Sequence, residues 1–341
     1  MRLSPRSSPE RTPLRSLILC SSLSLITGIA GTWLLLATVV YATPAPARSL
    51  RITDSQYPLL SPLLLCNVNE QKSPNEDVAL AKVIGNYVKK QTSAGVVDDM
   101  SVYVIDYQNG KWAGVNENDR YDPASMLKVP VMIAFYQAAE RQPSALSEKI
   151  KFNGDTQNSN EYFKSPNGIQ PGTFYTTDQM IDSMIINSDN TAALLLERDL
   201  ALSTLSEVFT DLGLPVPQDG PNVQYLSAKL YAYFFRILYN GTYLDRELSQ
   251  KALSLLSQTT FTAGIRTGVP SDTTVAHKFG ERSVYATDGS LQGRELHDCG
   301  IVYKTGSPYL ICIMSRSKAT SFDAMAKNIA DLSGLVYQNI Q

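Results

Sequence analysis

The sequence predicts an α/β protein of the α+β type, in which a five-stranded antiparallel sheet is flanked by helices and carries an inserted all-helical subdomain. Three observations predict this class. Strand-like segments stand near both ends of the folded part of the chain, a long helical block separates them, and a helical segment lies outside each group of strands. The strands from both ends are therefore expected to join in one sheet.

The first predicted helix occupies residues 75–92, and the first two strands follow within residues 100–118. Asn109-Gly110, in the middle of the second segment, is the strongest short-range signal for a hairpin turn. The helix is predicted to be amphipathic because its apolar residues recur at the spacing of one helix face, namely Val78, Leu80, Val83, Ile84 and Val88.

The middle of the chain, about residues 123–260, is dominated by helical patterns. The last elements are three strand-like segments and a helix, at 273–279, 296–303, 309–315 and 322–338. Because the helical block is inserted between strands of one sheet, a cleft between the two parts is the expected place for a ligand.

Composition excludes several classes of function. The chain has 341 residues, 43% of them hydrophobic and 18% charged, so it can bury a sizeable core. A formal net charge of -2 gives no basic surplus for nucleic acid, which is not an expected partner. Two histidines and four cysteines stand without the spacing of a metal site, so no metal and no cofactor are predicted.

The N-terminal region differs from the rest. Residues 1–15 contain four arginines and are predicted to be a basic, cytoplasmic N-terminus, and residues 16–42 carry no charge. This stretch is long enough to cross the membrane as a helix, which would place the remainder outside the cytoplasm. A cleaved signal segment is the alternative, since Ala45-Pro46-Ala47 has small residues of the kind found at cleavage sites.

Residues 43–74 are predicted to be a proline-containing linker, and residues 75–341 the catalytic domain. Three cysteines lie beyond the predicted membrane segment, at Cys66, Cys299 and Cys312. Because their number is odd, at most one disulfide is expected among them, and burial as free thiols is equally compatible with the sequence.

A candidate nucleophile lies in the segment YDPASMLKVP. Asp122 and Pro123 are typical of a helix start, which places Ser125 in the first helical turn and Lys128 on the same face. An amine in a partly desolvated cleft can accept the proton of a serine hydroxyl. Pro130 is expected to remove one helix hydrogen bond and kink the helix.

A second candidate element is Ser188-Asp189-Asn190, which lies between two predicted helices. A hydroxyl and an amide two residues apart in a turn can both face a cleft, while Asp189 is expected to cap the next helix. Taken alone, these residues are equally typical of an ordinary turn, and the Ser-x-x-Lys spacing also recurs as Ser315 to Lys318.

The order of three motifs is more informative than any one of them. Ser-x-x-Lys at a helix start, Ser-Asp-Asn between helices and Lys-x-Gly at Lys278 to Gly280 resemble the class A β-lactamases and penicillin-binding proteins. The resemblance extends from about residue 75 to the end of the chain. It implies the sheet and helical subdomain predicted above, with the site between them.

The resemblance also implies a role for each matching residue. Ser125 would form an acyl-enzyme, and Lys128 would activate it. Ser188 would relay a proton to the leaving nitrogen. The substrate-binding residues would be Asn190, Lys278, Gly280 and Glu281. Asn190 would hold the amide side chain of the substrate, and Lys278 would supply positive charge for its carboxylate. The N–H groups of Ser125 and Glu281 would form the oxyanion hole.

A literal Lys-Thr-Gly triplet at Lys304 to Gly306 competes with Lys278 for the third motif. In the family, two strands and a helix follow this motif, which fits Lys278 and does not fit Lys304. If the strands around Lys278 and 296–303 are antiparallel neighbours, Lys304 lies in a solvent-facing hairpin roughly 20 Å from the cleft, at about 3.3 Å per residue. Lys278 is therefore the predicted site residue.

Two features depart from the family. Phe279 replaces a hydroxyl residue that usually contributes a hydrogen bond to the substrate carboxylate. The family's deacylating glutamate has no counterpart in residues 212–228, which offer only Asp219 as a carboxylate. Glu197 and Glu207 fall in predicted helices before it, where a solvated or capping role is expected.

The sequence thus predicts a membrane-anchored, monomeric serine hydrolase that acts on β-lactams or peptidoglycan-type peptides, with slow deacylation. A non-catalytic module that retains the fold and binds cell-wall peptide is the alternative.

Overall fold

A computed structural model describes most of the chain after residue 50. The chain divides into two units, and all that follows concerns the larger one, which holds Ile52–Leu63 and Glu70–Gln341. The predicted N-terminal region, membrane segment and much of the linker lie outside the described residues. The structure describes residues 51–52, 55–64, 75–154, 156–157, 161–165, 167–200, 202–217 and 226–340.

The central sheet has five antiparallel strands in the order β2-β1-β5-β4-β3, which confirms the predicted fold class. Strands from both ends of the folded region meet in it, as expected. Their bounds are β1 Asp99–Asp106, β2 Trp112–Val115, β3 Val275–Tyr285, β4 Leu291–Val302 and β5 Tyr309–Ser317. Strand β3 forms one edge of the sheet and carries Lys278.

Eight α-helices lie within the described residues. Three 3-10 turns accompany them, at Ala124–Leu127, Pro143–Ser147 and Ile265–Gly268. Pairs of short strands join Arg120–Tyr121 to Leu226–Ser227 and Lys149–Lys151 to Phe174–Thr176. The helices are α1 Val78–Ser93, α2 Lys128–Arg141, α3 Thr177–Ile186, α4 Asn190–Asp199, α5 Leu202–Asp211, α6 Ala228–Asn240, α7 Arg246–Leu256 and α8 Phe322–Asn339.

Both faces of the sheet are buried, because alternate side chains of each strand enter two separate hydrophobic cores. Along β5, Ile311 and Ile313 belong to the core that also contains residues of α1 and α8, while Leu310 and Met314 belong to the core with residues of α2 and α6. Burial on both sides explains why the strands near the C-terminus are almost continuously apolar.

A disulfide joins Cys299 on β4 to Cys312 on β5. The two cysteines are direct cross-strand partners, and Cys299 is also the register partner of Lys278 on β3. Both cysteines are fully buried. The pairing that the sequence left open is therefore the one between the two late strands.

Residues 57–61, within the predicted linker, pack on the domain. Leu60 is buried in the helical core. Leu59 N–H donates to Gln250 Oε1 at 3.0 Å, and Tyr303 Oη donates to Leu59 O at 2.8 Å. Ordered packing thus begins before residue 75.

Within the part of the chain that the structure describes, none of the helices combines the length and the apolar character that a membrane crossing requires.

Candidate active site

Ser125 lies in a 3-10 turn that leads into α2, which begins at Lys128. The expectation that Asp122 and Pro123 begin an α-helix is therefore wrong. Ala124 has a φ of 48°, in the left-handed region that non-glycine residues rarely adopt, and this interrupts regular helix geometry. Asp122 Oδ1 instead accepts the N–H of Ala124 at 2.9 Å. Pro130 is the third residue of α2, where its missing N–H removes no bond within the helix, so the predicted kink has no cause.

The turn before Ser125 is fixed from the sheet. Asp122 pairs with Arg282 on β3, and its carbonyl oxygen lies 3.0 Å from Nε2 of His297 on β4. His297 Nδ1 accepts the N–H of Ser315 at 3.2 Å, so the proton is on Nε2, which donates to Asp122. Burial lowers the pKa of His297 to about 3, and the ring is therefore neutral at physiological pH.

Gly280 allows β3 to approach the Ser125 turn closely. A Cβ atom at position 280 would lie 2.5 Å from Pro123 O and 3.2 Å from the backbone nitrogen of Met126. Because those atoms belong to backbone, they cannot move away as the end of a side chain can. Glycine at this position therefore sets the distance between the strand and the serine.

Ser188 and Asp189 lie in the break between α3 and α4, as predicted, while Asn190 is the first residue of α4. Asp189 caps α4 by accepting the N–H groups of Thr191 and Ala192, at 2.8 and 3.2 Å. Its second oxygen accepts the Ile169 N–H at 2.7 Å. Ser188 is buried and has a φ of 55°. Strained backbone of this kind persists where the surrounding contacts hold it in place.

Lys128 connects the first two motifs. Its Nζ lies 3.1 Å from Ser125 Oγ, 2.5 Å from Ser188 O and 2.6 Å from Asn190 Oδ1. Ser188 O and Asn190 Oδ1 can only accept hydrogen bonds, so each takes one N–H group of the amine. In the neutral amine, the lone pair of Nζ is then left to accept a proton from a hydroxyl. Burial lowers the pKa of Lys128 to about 8. An appreciable fraction of the amine is therefore neutral near pH 7 and can accept a proton.

Lys278 reaches the same centre from the sheet. Its Nζ donates to Ser188 Oγ at 2.9 Å and to Phe279 O at 3.0 Å. Burial, and then the charge of Lys128, hold the pKa of Lys278 well below its usual range. Ser188 Oγ also lies 3.1 Å from Lys128 Nζ, so the two lysines share one hydroxyl.

Glu281 has a side-chain role that the sequence did not indicate. Its carboxylate accepts the N–H of Tyr162 at 2.6 Å and that of Phe163 at 3.2 Å, and so ties residues 161–163 to β3. Burial raises the pKa of Glu281. The partners are more than 100 residues apart in the sequence, and no local pattern marks the contact.

Glu161 is a second feature that sequence reasoning missed. Burial raises the pKa of Glu161 to about 7. The positive charge of Lys128 acts to lower this pKa, and the negative charge of Glu281 acts to raise it. Its only sequence signal is an isolated carboxylate before α3. Glu197 and Glu207 are exposed residues of α4 and α5, but burial of the Glu197 carboxyl raises its pKa and the charge of Lys128 acts against this. Asp219 lies outside the described residues.

Lys304 lies in the turn between β4 and β5, as predicted, but its side chain is not free in solvent. Its Nζ donates to Tyr337 O at 2.9 Å and to Ile340 O at 2.5 Å, at the end of α8. Lys304 thus satisfies carbonyl groups at a helix C-terminus.

Among the described residues, no group of three or more His, Cys, Asp and Glu side chains could hold a metal ion.

The chain is similar to known proteins in both sequence and fold. A family profile described as the beta-lactamase enzyme family matches residues 79–340. Comparison with curated protein sequences found no match. The structure of PBP-A matches with a TM-score of 0.64 and 20% identity over 78% of this chain and 98% of that chain.

Two β-lactamase structures are similar to the same degree. The TLA-3 extended-spectrum beta-lactamase has a TM-score of 0.65 and 18% identity, over 76% of this chain and 98% of that chain. The beta-lactamase from Sphaerobacter thermophilus DSM 20745 has a TM-score of 0.61 and 20% identity, over 76% and 96%. At these identities the structures show a shared fold, and the sequence match shows that the chain belongs to the beta-lactamase enzyme family.

Proposed function

We propose that the protein is a serine hydrolase that forms an acyl-enzyme on Ser125 with β-lactams or peptidoglycan-type peptide amides. The observation that carries this proposal is the pair of contacts from Lys128 Nζ, 3.1 Å to Ser125 Oγ and 3.1 Å to Ser188 Oγ. They connect a nucleophile, a base of lowered pKa and a second hydroxyl in one chain of contacts.

In the first step, neutral Lys128 accepts the proton of Ser125 as Oγ attacks the carbonyl carbon of the substrate amide. The oxygen of that carbonyl becomes negative, and the N–H groups of Ser125 and Glu281 are proposed to stabilise it. The contact between Gly280 and the Ser125 turn supports this pairing, because it keeps the two backbone segments close.

In the second step the C–N bond breaks, and the leaving nitrogen needs a proton. Ser188 is the proposed donor, and Lys128 restores its proton, since the two groups are 3.1 Å apart. Lys278, at 2.9 Å, holds the Ser188 hydroxyl in place. Asn190 is proposed to bind the amide side chain of the substrate, with its carbonyl oxygen held by Lys128.

The substrate class is proposed from the relatives. A PBP-A mutant has been determined as an acyl-enzyme complex with penicillin-G, and the TLA-3 protein is named as an extended-spectrum beta-lactamase. A β-lactam and a peptide amide offer the same reacting carbonyl to Ser125. A peptidoglycan-type peptide is accordingly the proposed natural substrate.

Slow deacylation is part of the proposal. Hydrolysis of the ester on Ser125 needs a base that activates water. The stretch that corresponds to the family's deacylating loop, residues 212–228, offers only Asp219 as a carboxylate, and aspartate is one methylene shorter than glutamate. The acyl-enzyme is therefore expected to form faster than it is hydrolysed.

The proposed location of the catalytic domain is outside the cytoplasm. The disulfide between Cys299 and Cys312 supports this location, because such bonds persist in oxidising compartments. Anchoring by residues 16–42, and a monomeric state, remain predictions from the sequence.

Covalent labelling tests the function. The protein is incubated with a fluorescent penicillin at high concentration, and the adduct is mapped by peptide mass spectrometry. One adduct on the peptide that contains Ser125 is expected, and none in Ser125→Ala. Equal labelling of the alanine variant would disprove the assignment. Reversible binding without any adduct would instead support the non-catalytic binding module.

A further inference from the structure

Two residues of β3 attach the strand to the turn that leads to Ser125. Gly280 and Arg282 are two positions apart, so they point to the same face of the sheet. Gly280 lies against backbone atoms of the turn, and Arg282 forms an ion pair with Asp122. Glu281, whose N–H is one of the two proposed oxyanion donors, is the residue between them. Its backbone is therefore attached to the turn on both sides.

The two attachments act in opposite directions. Gly280 is so close to the turn that a Cβ atom would lie 2.5 Å from Pro123 O, so the strand cannot come nearer. The ion pair opposes separation, because the guanidinium of Arg282 donates to a carboxylate oxygen of Asp122. The two side chains are 25% and 23% exposed, so water screens the pair only in part. Together the two contacts fix the distance between strand and turn.

The Asp122 carboxylate extends this attachment to the nucleophile. One of its oxygens pairs with Arg282, and the other accepts the N–H of Ala124 at 2.9 Å. Ala124 directly precedes Ser125 and has a φ of 48°. Backbone in this region persists where surrounding contacts hold it in place. One carboxylate thus links the residue after Glu281 to the residue before Ser125.

A second acidic side chain lies beside the ion pair. Glu295 on β4 is the register partner of Arg282 and is 4% exposed. Burial raises the pKa of Glu295, the charge of Arg316 acts to lower it, Asp122 acts to raise it and Arg282 acts to lower it. Without the guanidinium of Arg282, repulsion between Asp122 and Glu295 would favour movement of the turn away from the sheet.

We propose that Arg282 and Asp122 are positioning residues of the oxyanion hole, and that their ion pair sets the distance between the N–H groups of Ser125 and Glu281. The inference rests on the proposed function, because these donors matter for rate only where a carbonyl oxygen becomes negative. Donors held in advance at that position contribute strongly to rate, and a misplacement of about 1 Å can cost roughly 10²-fold. The ion pair should therefore affect the bond-forming step and leave substrate binding unchanged.

Saturation kinetics of acylation by a fluorescent penicillin test the inference. Arg282→Met keeps an extended side chain and removes its charge. Its limiting acylation rate is expected to fall about 10²-fold, while the half-saturating concentration stays within about threefold of the wild type. Arg282→Lys restores a cation and should recover at least about tenfold of the lost rate. A limiting rate in Arg282→Met within about threefold of the wild type would overturn the inference.

Arg294→Met is the matched control. Arg294 lies on β4, and it contacts Thr320 O at 3.3 Å and the ring of Phe322. This variant loses an arginine of the same hairpin without a change at the turn, so its limiting rate should stay within about twofold of the wild type. Equal losses in Arg282→Met and Arg294→Met would assign the effect to weaker folding and would contradict a positioning role.

Asp122→Asn tests the same ion pair from the other side. Asparagine keeps an oxygen that can accept the Ala124 N–H, but it carries no charge. The limiting rate is expected to fall at least about tenfold. Combined with Arg282→Met, this substitution should cost no more than about twofold beyond Arg282→Met alone, because both changes break one interaction. Losses that add in full would show that the two residues act separately, contrary to the inference.

Phenylboronic acid separates this inference from the proposed function. Its boron bonds to Ser125 Oγ, the hydroxyl proton passes to Lys128, and the tetrahedral anion places an oxygen between the two N–H donors. Its affinity should fall at least about tenfold in Arg282→Met and stay within about twofold in Arg294→Met.

The combined results have distinct meanings. If penicillin does not acylate the wild type but the boronate shows this difference, the proposed acylation fails and the positioning role stands. If penicillin acylates the wild type and Arg282→Met at equal rates, the proposed function stands and the positioning role is wrong. A wild type that forms neither adduct would overturn both.

Discussion

Lys278 Nζ lies 2.9 Å from Ser188 Oγ, so the lysine at the edge of the sheet donates to the serine between two helices. This contact joins the sheet to the helical subdomain at the point where a leaving group would need its proton. The arrangement leads to several expectations about rate, lifetime and stability.

The pH dependence of acylation should report Lys128. Its neutral form is the proton acceptor, and burial lowers its pKa to about 8. The second-order acylation rate is therefore expected to rise as pH increases through about 8 and to level off above it. Lys128→Arg keeps the positive charge but cannot act as a base, and it should lose roughly 10² to 10⁴ in rate. Stopped-flow labelling measures the pH profile of the wild type and the rate of Lys128→Arg. The experiment covers roughly pH 6 to pH 10, the range in which a lysine of lowered pKa titrates. A flat profile in the wild type would exclude Lys128 as the base.

The two Lys-x-Gly lysines should differ in what they affect. Lys278→Ala is expected to lower the acylation rate at least tenfold, about 1.4 kcal/mol, because Ser188 loses a hydrogen-bond donor. Lys304→Ala should change that rate by less than about twofold. The Lys304 variant should instead unfold at a lower urea concentration, since carbonyl groups at the end of α8 lose their donor. The opposite ranking in the labelling assay would mean that the third motif is misassigned.

A penicilloyl adduct on Ser125 should persist for minutes or longer. Positioned general bases contribute roughly 10² to 10⁴ in rate, and residues 212–228 offer only Asp219 where the family has its deacylating glutamate. Glu161→Gln is expected to leave the adduct lifetime within about twofold of the wild type. Time-resolved mass spectrometry after removal of free penicillin gives the lifetime. Rapid turnover that is lost in Glu161→Gln would identify Glu161 as the base, and rapid turnover that is lost in Asp219→Asn would identify Asp219.

The side chain of Glu281 should control the order of residues 161–163. Glu281→Ala removes the acceptor for two backbone N–H groups, so the amides of Tyr162 and Phe163 should exchange with deuterium faster than in the wild type. Glu281→Gln keeps one acceptor oxygen and should lie between the two. This measurement needs no substrate, and it does not depend on catalysis. Equal protection in all three proteins would show that the carboxylate does not hold the segment.

His297 should make the protein less stable in mild acid. The ring is neutral in the folded protein, with a pKa of about 3, whereas the unfolded value is 6.5. Between these values the unfolded chain binds the extra proton, so the free energy of unfolding should fall by up to about 1.4 kcal/mol per pH unit as pH decreases. His297→Gln keeps a donor for Asp122 O without titrating in this range. Urea denaturation should give a shallower slope for this variant, and equal slopes would assign the acid sensitivity to other groups.

The sequence predicted the elements whose signals are local. The cap at Asp189, the hairpin at Asn109-Gly110 and the helical spacing on α1 all depend on neighbours within a few residues, and the structure contains each of them. The order of three motifs also indicated Ser125, Lys128 and Lys278, and the structure connects these residues through Ser188. The positive φ of Ala124 was not predicted, because no local sequence pattern marks a left-handed alanine at this position.

The contacts that shape the candidate site were beyond local patterns. Glu281 reaches Tyr162 across 119 positions, and His297 reaches Asp122 across 175 positions. Such pairs form only when the sheet and the helical subdomain come together. Lys304 shows the same limit, since its turn was predicted but its bonds to the end of α8 were not.

The disulfide has a practical consequence for producing the protein. Cys299 is the register partner of both Lys278 and Cys312, so the covalent link lies directly beside the strand that carries the lysine. An expression host with a reducing cytoplasm would leave both thiols free at this position. Protein for rate measurements should therefore be made by secretion or oxidative refolding and checked by thiol titration, because a difference between preparations would otherwise be attributed to the substituted residue.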